Sequence, residues 1–137
     1  MPTTKHWRDK RIWTNGSFDV IHRGHLEMLD YCKELGDFVV VGIDSDRRIR
    51  EKKGTRRPFN NQEDRKFFLQ HIGIVDHVVI FDSDQELASY VRGYNIDHMV
   101  VGSDWKGKPI IGSQFAKAVE YFDRVGDYST TKILEGK

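Results

Sequence analysis

The chain has 137 residues, enough for one domain over residues 1–137 that buries a single core without disulfides or metals to staple it. Its 22 lysines and arginines offset 21 aspartates and glutamates, so no global charge draws it to nucleic acid or to a membrane surface. The single cysteine, Cys32, cannot form an internal disulfide, and a buried thiol in a reducing compartment accounts for it.

Met1 to Lys10 lacks the apolar core of a signal peptide, and no apolar run reaches membrane-spanning length, so a soluble cytoplasmic protein is expected. Ile12 and Trp13 behind Arg11 read as a short strand. The stretch Asn15 to His25 follows, reading Asn-Gly-Ser-Phe-Asp-Val-Ile-His-Arg-Gly-His. Leu26, Leu29, Cys32 and Leu35 then share one stripe of an amphipathic helix. Strand, glycine turn and helix start, in that order, make a phosphate site, because free N–H groups and the positive end of the helix dipole face whatever sits above the turn. His22 and His25 stand three apart at the mouth of that helix, so their rings project on one side. Gly24 between them removes a Cβ and lets a bulky ligand approach the backbone.

Asp37 to Asp44 brackets a continuous apolar strand of the kind buried on both faces of a parallel sheet. The chain then turns basic from Arg47 to Arg57. Asn60 followed by Glu63 reads as a capping box opening a helix that packs Phe68, Leu69 and Ile72. His77 to Phe81 is the next strand, and Ser83 with Glu86 caps a helix carrying Leu87, Val91 and Tyr94. Asp97 to Gly102 makes a fourth strand and Val119 to Phe122 a fifth, with a last short helix capped by Ser129 and holding Ile133 and Leu134. This alternation predicts an α/β fold: a doubly wound, Rossmann-like parallel sheet of five strands. Ligands of such sheets bind beyond the carboxyl ends of the strands, so Gly16 to His25, the segment after Asp44, and Gly102 to Lys108 should meet around one pocket.

Gly-Ser-Phe-Asp followed by His-Arg-Gly-His resembles the cytidylyltransferase-like nucleotidyltransferase family, whose hallmark is a Gly-x-Phe-Asp turn followed by His-x-Gly-His. The resemblance runs from about Arg11 to Leu134. It implies transfer of a nucleoside monophosphate from a nucleoside triphosphate to a small phosphorylated acceptor, with release of pyrophosphate and no covalent intermediate. Alignment and charge stabilisation are then the protein's task. By carry-over, His22 and His25 donate hydrogen bonds to phosphate oxygens, and imidazole suits that role because either protonation state offers a donor. Gly16, Ser17 and Phe18 lie along the nucleotide with backbone N–H groups, and Asp19 fixes the turn or orients a metal-bound water. Lys53, beside Gly54 and before Arg57-Pro58, matches a triphosphate-contacting lysine on a mobile flap. Arg65 matches an arginine that supports the site directly or through an ion pair. Asp104 and Trp105 match a loop that contacts the nucleobase or ribose. Arg124, Ser129, Thr130 and Thr131 match the family's last phosphate motif, although Asp127 replaces its usual glycine.

Thr14-Asn15-Gly16, Lys53-Gly54 and Ile111-Gly112-Ser113 look like heptose 1-phosphate adenylyltransferase domains, whereas Asp104-Trp105, Gly107-Lys108 and Arg124 are more like the glycerol-phosphate cytidylyltransferases. The balance leans to ATP and a heptose-like sugar 1-phosphate, with CTP and a polyol phosphate as the alternative. A non-catalytic nucleotide-binding module is the reading of another class. Mg²⁺ is expected with the triphosphate, no protein metal site is read from the sequence, and relatives are commonly homodimers. The basic run without interleaved aromatics is not expected to bind nucleic acid.

Overall fold

In the computed structural model, which describes residues 10–123, the five expected strands are β1 (Arg11–Gly16), β2 (Phe38–Asp44), β3 (His77–Phe81), β4 (His98–Gly102) and β5 (Ala118–Phe122). Helix α1 (Arg23–Leu35) joins β1 to β2, α2 (Asp46–Lys53) and α3 (Gln62–Gln70) lie between β2 and β3, and α4 (Asp84–Gly93) precedes β4. All pairings are parallel, in the order β3-β2-β1-β4-β5. The chain therefore winds one way from β1 and then the other, and the reversal falls between β1 and β4.

The central strands read as unbroken apolar runs because both faces are covered. Ile12, Val39, Val41 and Ile43 face α1 and α3 in one cluster with Leu29, Cys32 and Leu69. Trp13, Val40 and Met99 face the other way, with Leu87 and Val91 of α4. Each fully buried side chain such as Leu29 or Ile43 contributes about 1.5–3 kcal/mol by leaving water. Gly42 is needed where it stands. A Cβ there would meet the Trp13 ring of the neighbouring strand at 2.5 Å, so the glycine lets the indole lie flat across β2. Among the described residues, no helix is long and apolar enough to cross a membrane.

Several expectations need correction. Asn61, not Asn60, caps α3, accepting from the Asp64 N–H; the Asn60 N–H is bound elsewhere, to Asp19. Phe68 is 44% exposed, because Arg65 and Leu69 occupy the buried side of α3. Leu26 is also exposed, and only Leu29 and Cys32 of its stripe are fully buried. Burial pushes the Cys32 thiol up to about 12, consistent with an inert core residue. Asp97 stands before β4, accepting from the Arg11 N–H. Ser83 caps α4 as expected. Arg124, Asp127, Ser129, Thr130, Thr131 and the expected last helix lie outside the described residues.

Candidate active site

The turn leaving β1 is built from unfavourable backbone held by strong anchors. Phe18 and Val20 have φ of 48° and 59°, a region that costs a β-branched residue most. Two buried side chains offset that cost. Asp19, 1% exposed, accepts from the backbone N–H groups of Phe59 (2.7 Å) and Asn60 (2.8 Å), with the Arg57 guanidinium 3.8 Å away. Arg65, fully buried, donates to the carbonyls of Ser17, Asp44 and Asn60 and to the Asp46 carboxylate, at 2.7–2.9 Å. One guanidinium thus ties the β1 turn, the end of β2 and the starts of α2 and α3. Of the two roles left open for Arg65, support from beneath is the one its burial allows. Asp19 likewise fixes the turn, each of its oxygens accepting from a backbone N–H group.

The histidine pair at the head of α1 organises itself. His22 is the N-cap, and its Nδ1 accepts from the Gly24 N–H at 3.1 Å. The His25 Nδ1 accepts from the His22 N–H, also at 3.1 Å, completing a reciprocal box with imidazoles in place of the usual Ser and Glu. The rings stack with centroids 3.9 Å apart, and Phe18 packs on His25 at 4.9 Å. This box settles the tautomer: a nitrogen that accepts carries no proton, so each neutral ring holds its proton on Nε2. The box therefore fixes both rings against the backbone at the head of α1. Gly24 contributes its N–H to the box itself. No acidic residue lies in the first turn of α1, which leaves the helix dipole unneutralised by its own side chains.

A cavity of about 230 Å³ opens beside this turn, over the end of β1 between Met28 of α1 and Leu87 of α4. Asn15, Asp44, Arg48 and Lys52 line its polar wall; Val101, Trp105, Ile110 and Ile111 line the apolar one. Gly16, Asp44, Gly102 and Trp105 do meet around one space, as strand-end reasoning expects, whereas His22 and His25 stand outside its lining. Trp105 is a rim residue, 46% exposed, with the Lys108 ammonium 5.9 Å from its ring. The Asp104 carboxylate folds back over Gly102, where a Cβ would meet it at 2.6 Å.

The basic run divides three ways. Arg47 pairs with Asp82 and Glu51 on the surface. Arg48, only 12% exposed, bridges Asp44 and Asp84 and lies over the Phe81 ring. Arg57 turns inward to Asp19. Lys53 lies in the last turn of α2, before Gly54 at φ 98°. Solvent reaches Lys53, yet the protein crowding it lowers its pKa from the ordinary 10.5, with the Arg57 cation adding to the effect and Asp19 and Asp44 partly offsetting it. Those partners put Lys53 near the β1 turn. Asn15, Arg48 and Lys52 were not among the site residues expected from the sequence. Their position after or beside a strand's carboxyl end was the available signal, and it does not say which of several side chains points in.

Comparison with known proteins adds a further finding. The model of the family described as cytidylyltransferase-like matches residues 13–135. The bifunctional protein HldE of a Nitratiruptor species is 46% identical over 133 residues, which is 95% of this chain and 28% of that protein. The bifunctional protein HldE of Campylobacter concisus is 43% identical over 128 residues, 93% of this chain and 27% of that protein. The chain thus spans under a third of the length of these relatives. A solved structure, the lipopolysaccharide core biosynthesis protein from Thermoplasma volcanium, shares the fold with a TM-score of 0.67 at 22% identity, covering 88% of this chain and 98% of that one.

Proposed function

The chain belongs to the cytidylyltransferase-like family of nucleotidyltransferases, and we propose that it passes a nucleoside monophosphate to the phosphate of a small sugar phosphate. An oxygen of the acceptor phosphate attacks the α-phosphorus of a nucleoside triphosphate in line. The bond from that phosphorus to the bridging oxygen breaks, and pyrophosphate leaves with the negative charge. One observation carries this reading: the mutual capping of His22 and His25, which aims two Nε2–H donors from the head of α1 without flexible links. Preorganised donors of this kind stabilise charge as it develops and need no reorganisation during the reaction.

Gly16, Ser17 and Phe18 form the strained turn on which the α-phosphate is proposed to sit. Lys53 contributes positive charge to the triphosphate, and Asp104 with Trp105 contacts the nucleoside at the cavity rim. Arg124, Ser129, Thr130 and Thr131 are proposed to complete the phosphate site. Among the described residues no group of three or more His, Cys, Asp or Glu side chains is placed to hold a metal. Mg²⁺ is proposed to arrive on the triphosphate oxygens, where it would neutralise the departing charge. A homodimer is the proposed assembly.

The identity of 43–46% to the HldE proteins and the Thr14-Asn15-Gly16 sequence favour ATP and a heptose-like 1-phosphate. The Asp104-Trp105 loop at the cavity rim supports the second reading, CTP with glycerol 3-phosphate or a similar polyol phosphate. A screen of four nucleoside triphosphates against sugar and polyol phosphates, read by pyrophosphate release, decides between them. ATP with heptose 1-phosphate is the expected productive pair. Release only from CTP and glycerol 3-phosphate would select the second reading, and no release from any pair would leave a binding module.

A further inference from the structure

The polar wall of the cavity contains a side chain whose orientation is dictated from inside the core. Asn15 Oδ1 accepts from Trp13 Nε1–H at 2.8 Å. Indole nitrogen only donates, so the atom facing it must be the amide oxygen, and the two ends of the Asn15 amide cannot be interchanged. Trp13 cannot turn away. It is fully buried, lies flat across Gly42 and stacks on Tyr90 with centroids 6.5 Å apart. Asn15 lines the cavity, and among the described residues no group accepts from its Nδ2. The amide therefore keeps two N–H donors for whatever enters.

We propose that Asn15 is a specificity-determining donor to a hydroxyl oxygen of the acceptor sugar, and that Trp13 is its positioning residue. The inference rests on the nucleotidyl-transfer reading above. The cavity side fits an acceptor because an attacking group must approach the α-phosphorus opposite the leaving pyrophosphate. His22 and His25, which brace that departure, cap the head of α1 and stand outside the cavity lining, so the cavity is left to the group that arrives from the other direction. Its polar wall also suits a sugar, since a hydroxyl both donates and accepts. Asp44 supplies an acceptor there and Asn15 a donor whose direction is set.

The test uses Trp13→Phe, which keeps an aromatic ring and deletes the indole N–H, with Asn15→Ala and the double variant. Heptose 1-phosphate and glycerol 3-phosphate serve as acceptors, and KM is measured separately for acceptor and triphosphate. Asn15→Ala is expected to raise acceptor KM by about tenfold and Trp13→Phe by about three- to tenfold, the size of one neutral hydrogen bond, with kcat and triphosphate KM within about twofold. The double variant is expected to be no worse than Asn15→Ala alone, because the indole acts only through the amide. Multiplied losses in the double variant would make Trp13 merely structural and overturn the relay. A rise confined to triphosphate KM, or an unchanged acceptor KM in Asn15→Ala, would overturn the acceptor assignment while leaving the transferase reading standing. If the unaltered chain releases no pyrophosphate with either acceptor, the transferase reading itself fails, and so does the inference that rests on it.

Discussion

The histidine box and the basic run dispose of their polar groups in opposite ways. His22 and His25 hold each other through contacts three residues apart or fewer, and the result is a pair of oriented donors. Three arginines of the run find partners far away in sequence: Arg47 at Asp82, Arg48 at Asp84, Arg57 at Asp19. Much of that positive charge is neutralised within the protein before any ligand arrives. A dense cluster of cations is thus a poorer guide to a phosphate site than two neutral rings whose geometry is set locally.

Breaking the box should have the largest effect. His22→Ala with His25→Ala is expected to lower kcat by roughly 10³-fold or more while far-ultraviolet circular dichroism is retained, because each oriented donor is worth about 10²- to 10³-fold. Near-normal turnover would mean that the box is only a helix cap. Arg65 tests the arginine side of the comparison. Arg65→Met removes a buried cation that holds three carbonyls and the Asp46 carboxylate, and a loss of about 3–5 kcal/mol in denaturant unfolding is expected. An unchanged unfolding midpoint would show that the turn stands without it.

Lys53 supplies a finer test through pH. Its pKa is lowered, so its charge is lost earlier on the alkaline side than that of an ordinary lysine at 10.5. Triphosphate KM should therefore begin to rise below that pH, and Lys53→Arg, which keeps its charge, should move the rise upward. The sign for stability is the reverse of a salt-bridged group. The folded state disfavours the Lys53 ammonium, so Lys53 destabilises the fold at low pH; that effect begins to fade as pH rises past its lowered pKa and is gone above the ordinary 10.5. Smallest of all is Arg47. Its partners are exposed with it, and Arg47→Ala should leave both the melting temperature and triphosphate KM unchanged within error, by thermal melts and initial rates. A clear rise in triphosphate KM would return the basic run to the site.

Much of the fold was legible because its signals are local. A continuous apolar run such as Phe38 to Ile43 has one comfortable place, the middle of a parallel sheet, and a serine three residues before a glutamate caps a helix wherever it stands. The errors also have local causes. Asn60 and Asn61 are adjacent and chemically alike, and a backbone N–H taken by Asp19, from 41 residues away, decides that the second is the cap. Phe68 resembles a core residue until the buried guanidinium of Arg65 claims that side of α3.

The site divides along the same line. Residue order alone determined that a glycine turn and two histidines would stand at the head of a helix after a strand, since capping and helical spacing act within one turn of backbone. Tertiary structure decided which charges survive unneutralised, that Arg65 works from beneath, and that an indole in the core sets the facing of Asn15. Those outcomes depend on groups brought together across the sheet, and pairing over such distances leaves no periodicity for a sequence to display.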